Sequence, residues 1–195
     1  MVYFEIINNE LRIEKKLTNL DLFVINTTNI LSRYTKYVII SGYVSIFFGR
    51  ARGTEDVDLF IEDISEEKFI DLYNEFVVNG YEFNIANGEE LYKEYLKDNL
   101  SVNVWNKDLP LIRLEIKIAT KSSQKLTLSN RIKVFYNHNC LYFSPIEYQI
   151  AYKRIILKGD KDFEDARHLE IVFKNLNKEK IENYSKLVMK EFKDE

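Results

Sequence analysis

Apolar positions along this chain change period several times, and each change marks an element. Ile13, Leu17, Leu20, Val24 and Leu31 recur at helical steps, so residues 9–33 are expected to form helices packed behind a sheet. Tyr37-Val38-Ile39-Ile40 is a short apolar run rich in β-branched residues and reads as a buried strand. Ser41-Gly42 stops it, and a second apolar stretch follows over 43–48, which parses as strand, small turn and helix. Asp56-Val57-Asp58-Leu59-Phe60-Ile61 begins with polar and apolar residues in alternation and reads as a second strand. Ser65 is placed to cap a helix over 66–78, which Asn79-Gly80 stops. Residues 81–86 read as a strand and 89–98 as a helix. The stretches 100–105 and 111–118 read as paired strands, and 133–136 with 140–143 as a hairpin. From there the chain reads as helical. Ser144 is taken as an N-cap with Pro145 at the first helical position, Gly159 ends that helix, and an amphipathic Lys/Glu-rich helix occupies 177–192. The pattern is an α/β (α+β) fold. Residues 1–143 form an α/β core with N-terminal helices, and 144–195 a C-terminal helical extension packed on it, unless the two are one domain.

Composition narrows the class. The chain has 195 residues, 46% hydrophobic and 30% charged, an ordinary globular balance with enough length for a sizeable core. No stretch approaches eighteen apolar residues, so no membrane span is expected, and the first ten residues lack a basic-then-apolar leader pattern. A cytoplasmic location is the expectation. Cys140 is the single cysteine, so no internal disulfide can form. His138, Cys140 and His168 are too few nitrogen and sulfur donors for a zinc site. The formal charge of −3 argues against a broad nonspecific nucleic-acid surface. Between Glu115 and Glu147, however, there is no acid, while Lys117, Lys121, Lys125, Arg131 and Lys133 are all basic. That block can guide phosphates, or it is simply a solvated face.

The most informative chemistry lies between Ser41 and Asp58. A strand-to-helix turn presents unpaired backbone N–H groups, and Gly42 lets a phosphate approach them closely. Asp56 and Asp58 project from one face of their strand, roughly 6–7 Å apart. At an effective dielectric near 20 their repulsion is about 2.5 kcal/mol, a large local term against a domain stability of about 5–15 kcal/mol. Something cationic should offset it. Mg²⁺ suits hard oxygen ligands at this spacing. Partners supplied by Arg50 and Arg52 would also serve, as would plain solvation.

Taken whole, Ser41-Gly42, a short apolar helix, then Arg52-Gly53-Thr54-Glu55-Asp56-Val57-Asp58 resembles the nucleotidyltransferase superfamily with a polymerase-beta-like core, closest to its minimal and abortive-infection toxin-type branch. The family pattern runs Gly-Gly or Gly-Ser, helix, Arg-x-Thr-x-Asp-hydrophobic-Asp. The resemblance implies a mixed sheet flanked by helices and Mg²⁺ (or Mn²⁺) as cofactor. Asp56 and Asp58 would be catalytic metal ligands, with Ser41, Gly42, Arg52 and Thr54 at the nucleotide. Ser41 departs from the pattern, standing where the family has its first glycine. The third carboxylate falls to Glu115, the only acid of the strand 111–118, where relatives most often carry aspartate. An ion pair of Glu115 with Arg113 or Lys117 is the plainer alternative. A further likeness is a helix with an internal lysine followed by a Lys-Asp-x-x-Asp helix start, here Lys153 and Lys161-Asp162-Phe163-Glu164-Asp165. It implies a triphosphate contact for Lys153 and a supporting or base-like role for Asp162. Asp165 shares the helical face of Asp162. The matching stretches cover roughly 37–62 and 111–173.

The resulting expectation is a Mg²⁺-dependent nucleotidyltransferase. It would move a nucleoside monophosphate from a triphosphate to a hydroxyl of RNA, protein or a small molecule. The resemblance adds tRNA as an acceptor and an antitoxin as a partner. The alternative is a non-catalytic nucleotide-binding or partner-binding module on the same fold. A phosphohydrolase would be expected to use more histidines or aspartates than are present.

Overall fold

The computed structural model describes residues 3–7 and 10–193, of which 3–7 are described as backbone only. Its spine is a nine-stranded sheet. In chain order the strands are β1 (Tyr3–Ile7), β2 (Glu10–Glu14), β3 (Tyr37–Ile39), β4 (Asp56–Ile61), β5 (Tyr81–Phe83), β6 (Val102–Asn106), β7 (Leu109–Ile118), β8 (Ile132–Tyr136) and β9 (Asn139–Phe143). Across the sheet they run β1-β2-β8-β9-β3-β4-β7-β6-β5. The β2/β8, β3/β9 and β4/β7 pairs are parallel and the rest antiparallel, so the sheet is mixed.

Helices α1 (Asn19–Leu31) and α3 (Glu66–Val78) cover one face. The odd-numbered positions of β3 and β4 point there: Tyr37, Ile39, Val57, Leu59 and Ile61 join the main core with Leu114 and Ile116. The even-numbered positions face the other way. Val38 and Phe60 meet Ala119 and Leu128 in a small second cluster under α5 (Ser122–Ser129). The same face, further along the strands, carries Asp58 and Glu115.

The C-terminal helices close one side of that face. Helix α6 (Ile146–Tyr152) runs on as a π-helical turn, Lys153–Leu157, and is followed by α7 (Asp160–Val172) and α8 (Lys178–Glu191). Ile146, Ile150, Ala166 and Leu169 belong to the main core, and Tyr148 and Ala151 pack against Tyr184 and Val188 of α8. Helix α4 (Gly88–Glu90) and a second π-helical stretch, Leu91–Leu96, precede β6.

Three expectations need correction. Residues 10–14 are strand, not helix: Leu11 and Ile13 are buried while Arg12 and Glu14 are exposed, a period of two, and Leu11 pairs with Val134. The helix begins only after Thr18. Its hydroxyl accepts from the Asp21 N–H while the Asp21 carboxylate accepts from the Thr18 N–H, a reciprocal cap. Ser144 is not a cap: its buried hydroxyl makes no hydrogen bond to the helix, and its N–H donates to Ile39 O at 2.9 Å, extending the β9/β3 pairing. Pro145 takes the cap position and the helix starts at Ile146. Finally, the chain reverses after α6 at Lys158, which has φ 56°, and Gly159 is the N-cap of α7.

Candidate active site

The turn between β3 and α2 (Gly42–Phe47) brings backbone to the rim of the open sheet face. Ser41 sits there with φ 64° and ψ −140°. Glycine adopts that conformation at little cost; a side chain makes it strained. The Ser41 N–H donates to Gln149 Oε1 of α6 at 3.1 Å. Gly42 is fully packed. A Cβ built on it would lie 3.0 Å from Arg52 Nη2 and 3.3 Å from its Cζ, so the missing side chain is what admits the guanidinium against the turn.

Strands β4 and β7 supply the carboxylates. Their parallel register sets Asp56 beside Arg113, Asp58 beside Glu115 and Phe60 beside Lys117. Register partners in neighbouring strands share a face, so two acids and two cations stand together there with Asp56. The Ile40 N–H donates to Asp58 O at 3.0 Å, locking β3 to this point of β4. Asp56 is exposed and Asp58 half-buried. Thr54 turns back on its own loop, its hydroxyl donating to Asp56 O at 2.9 Å.

The electrostatics of the two facing acids differ. Burial, and then the Glu115 charge, push the Asp58 carboxyl above the usual carboxylate range, against a hydrogen bond from the Ser41 side chain and the charge of Lys117. At Glu115 burial also acts upward and is the largest single effect. The combined hydrogen bond and charge of Lys117, with a hydrogen bond from Ser101, outweigh it and hold that carboxyl below its ordinary value. Lys117 Nζ lies 2.7 Å from Glu115 Oε1. Among the described residues no three acidic, histidine or cysteine side chains are gathered as a ready ligand set for a metal ion. A cavity of about 270 Å³ opens over these groups. Its floor is Ile40, Asp58, Phe60, Glu115 and Lys117, its rim Ser41, and its far wall Gln149, Tyr148, Tyr152 and Leu157.

Arg50 and Arg52 do not neutralise Asp56 and Asp58. They reach instead into a buried ion cluster centred on Asp165 of α7, which is 0% exposed. Arg52 Nη1 is 2.8 Å from Asp165 Oδ2, Arg50 Nε 2.5 Å from Oδ1, and Lys153 Nζ 2.8 Å from Oδ2. Lys153 is itself 1% exposed and also lies 3.4 Å from Asp162 Oδ1. Arg50 Nη2 makes a further pair with Glu164. The structure therefore brings Ser41, Asp58 and Glu115 to one cavity, with Asp56 beside them on the same face. It places Arg52, Lys153 and Asp162 in the ionic cluster behind the turn, with Arg52 spanning the two. Lys117, Gln149 and Asp165 join the neighbourhood. For Asp165 its shared helical face with Asp162 is a signal in the sequence; Gln149 carries none.

No protein-family model and no curated protein matches the chain. Solved structures do match. An antigenic nucleotidyltransferase-like protein from Paracoccidioides brasiliensis superposes with a TM-score of 0.53 at 13% identity, over 90% of this chain and 88% of that one. The antibiotic-resistance factor ANT(2'')-Ia superposes with a TM-score of 0.52 at 14% identity, over 89% and 95%. The chain has the nucleotidyltransferase-like fold. The mixed sheet with flanking helices read from the sequence is that fold. The chemistry has to be argued from the site. No described helix is long and apolar enough to cross a membrane.

Proposed function

We propose that this chain is a divalent-cation-dependent nucleotidyltransferase that moves a nucleoside monophosphate from a triphosphate to a hydroxyl acceptor. The observation that carries the reading is the register of Asp58 opposite Glu115 on parallel strands, beside the Ser41–Gly42 turn. Asp56, Asp58 and Glu115 offer only carboxylate oxygens, the donor type a hard cation such as Mg²⁺ or Mn²⁺ takes. Burial and the neighbouring Glu115 charge both disfavour the ionised Asp58 carboxylate, an imbalance such an ion would relieve. The three acids thus fit a divalent cation in chemistry, provided that Glu115 leaves Lys117. When bound, the ion would neutralise the triphosphate and stabilise the attacking and leaving oxygens of an in-line displacement at the α-phosphorus.

The chain's own residues do the rest. Backbone N–H groups of the first turn of α2 receive phosphate oxygens; the Ser41 N–H is already given to Gln149, so the donors are those after it. Arg52 lies against Gly42 and adds positive charge at that turn. Thr54 fixes the loop that carries Asp56. Lys153 and Asp162 act from behind through Asp165, which holds Arg52.

The test presents α-labelled ATP, CTP, GTP and UTP, Mg²⁺, total RNA including tRNA, and the protein itself as acceptors. The wild type should label one macromolecular class with one nucleotide, and the Asp56→Ala/Asp58→Ala protein none. Equal labelling by that variant would remove these residues from the chemistry. The toxin-type resemblance makes tRNA and a cognate antitoxin protein the first acceptors and partners to add. A second reading, a nucleotide-binding module without turnover, draws on the Lys117–Glu115 pair, which ties up the third carboxylate. Mg²⁺-dependent nucleotide binding with no transfer to any acceptor would select it.

A further inference from the structure

Lys117 stands at the one point where the cavity's acids are already neutralised. It follows Glu115 by two positions on β7, so both side chains leave the same face of the strand. Its ammonium lies 2.7 Å from Glu115 Oε1, and it lines the same cavity as Ser41 and Asp58. Lys117 is open to solvent and Glu115 half-buried, with side-chain exposures of 43% and 23%. A pair with one end in solvent is weak, worth about 1 kcal/mol, so this one can be exchanged. A lysine ammonium and a divalent cation also compete for one carboxylate, because both require its ionised oxygens and repel each other. A flexible four-carbon stem with a compact charge is suited to change partner, and phosphate oxygens are a usual partner for lysine.

We infer that Lys117 is a phosphate-binding residue of this site that holds Glu115 until a divalent cation takes the carboxylate, and then passes its charge to the triphosphate. The inference rests on the nucleotidyltransferase reading above and assigns to Lys117 a role within that site. Its consequence is a pair of opposite effects. Removing the ammonium frees Glu115 for the cation and deprives the triphosphate of a contact. A lysine that merely braced β7 would move both affinities the same way or neither.

The experiment measures Mn²⁺ binding by electron paramagnetic resonance and inorganic triphosphate binding by calorimetry. It compares the wild type, Lys117→Met, Lys117→Arg and the Asp56→Ala/Asp58→Ala protein, with thermal unfolding as the folding control. Inorganic triphosphate carries no base, so the result does not depend on which nucleotide is used. Lys117→Met should bind Mn²⁺ roughly fivefold more tightly than wild type in the absence of triphosphate. That is the fold-change corresponding to about 1 kcal/mol of such ion pairing. It should bind triphosphate several-fold more weakly, and Lys117→Arg should restore the triphosphate affinity. Mn²⁺ binding that is unchanged or weaker in Lys117→Met, but abolished in the double aspartate variant, overturns the role of Lys117 and leaves the nucleotidyltransferase reading standing. No Mn²⁺ binding by the wild type, with or without triphosphate, overturns both.

Discussion

At the scale of the residue, the site is a set of local compromises. Ser41 occupies a backbone conformation that suits glycine, and its side chain hydrogen-bonds Asp58. Strain of this kind costs on the order of 1–3 kcal/mol and persists where its surroundings over-determine it. Here the β3 pairing on one side and the Gln149 amide on the other do so. Asp58 is the second compromise. Burial first, and then the neighbouring Glu115, raise its carboxyl above the ordinary range. A group raised in the folded state contributes stability below the unfolded value, near 3.8, and loses it as pH climbs through the raised native value. At neutral pH the ionised Asp58 is therefore a liability to the fold. Asp58→Asn should raise the melting temperature at pH 7, and the gain should shrink to nothing as the pH falls below about 4. Calorimetric melts of both proteins across pH 3.5–8 check this. A variant that melts lower than wild type at pH 7 would show that Asp58 is already satisfied.

At the scale of the element, ion pairs join α7 to the loop between α2 and β4, whose Arg52 lies against Gly42. Asp165 is buried and meets three cations, Arg50 and Arg52 from the loop before β4 and Lys153 from the turn after α6. Neutralising the central acid leaves those charges without their counter-ion, and breaking a buried pair this way costs about 3–5 kcal/mol. Asp165→Asn, nearly the same shape, should therefore lower the melting temperature by about 6–20 °C. A shift under about 2 °C would mean that the cluster is solvated after all. This cluster also shows where the sequence stops being legible. The β3 run, the turn, the Asp56–Asp58 strand and the 66–78 helix are all written in local periodicity and caps, and the structure has them. The contact of Arg52 with Asp165 spans 113 positions and leaves no local trace. Strand β2 differs from its local pattern for a related reason. Ile13 continues the helical spacing of Leu17, Leu20 and Val24, but pairing with β8 settles its state, and pairing is a long-range event. At Ser144 the pairing with β3 likewise carries the extended backbone one residue further than a capping serine suggests, and the helix starts at Ile146.

At the scale of the whole molecule, the sheet supplies the acids and the C-terminal helices supply the opposite wall. Tyr148, Gln149 and Tyr152 of α6 face the cavity, and α6 is held in place by α8 behind it. Tyr184 meets Tyr148 edge-on at 5.5 Å between ring centroids, and Phe192 meets Tyr152 at 6.1 Å. None of Tyr184, Val188 and Phe192 lines the cavity, yet its geometry depends on them. Val188, 0% exposed, is the place to test this. Val188→Asp puts an unpaired carboxylate into an apolar contact, which costs several kcal/mol. Detaching α8 relieves that cost. The sheet and its main core keep Ile146, Ile150, Ala166 and Leu169 from the helices that remain. The variant should thus retain its strands by circular dichroism, be cut by protease in the 173–177 segment sooner than wild type, and bind inorganic triphosphate more weakly. Weaker binding at an unchanged strand signal would show that α8 holds the α6 wall of the site in place. Triphosphate binding that survives early cleavage would show that the sheet, the Ser41–Gly42 turn, Arg52 and α6 form the site without α8.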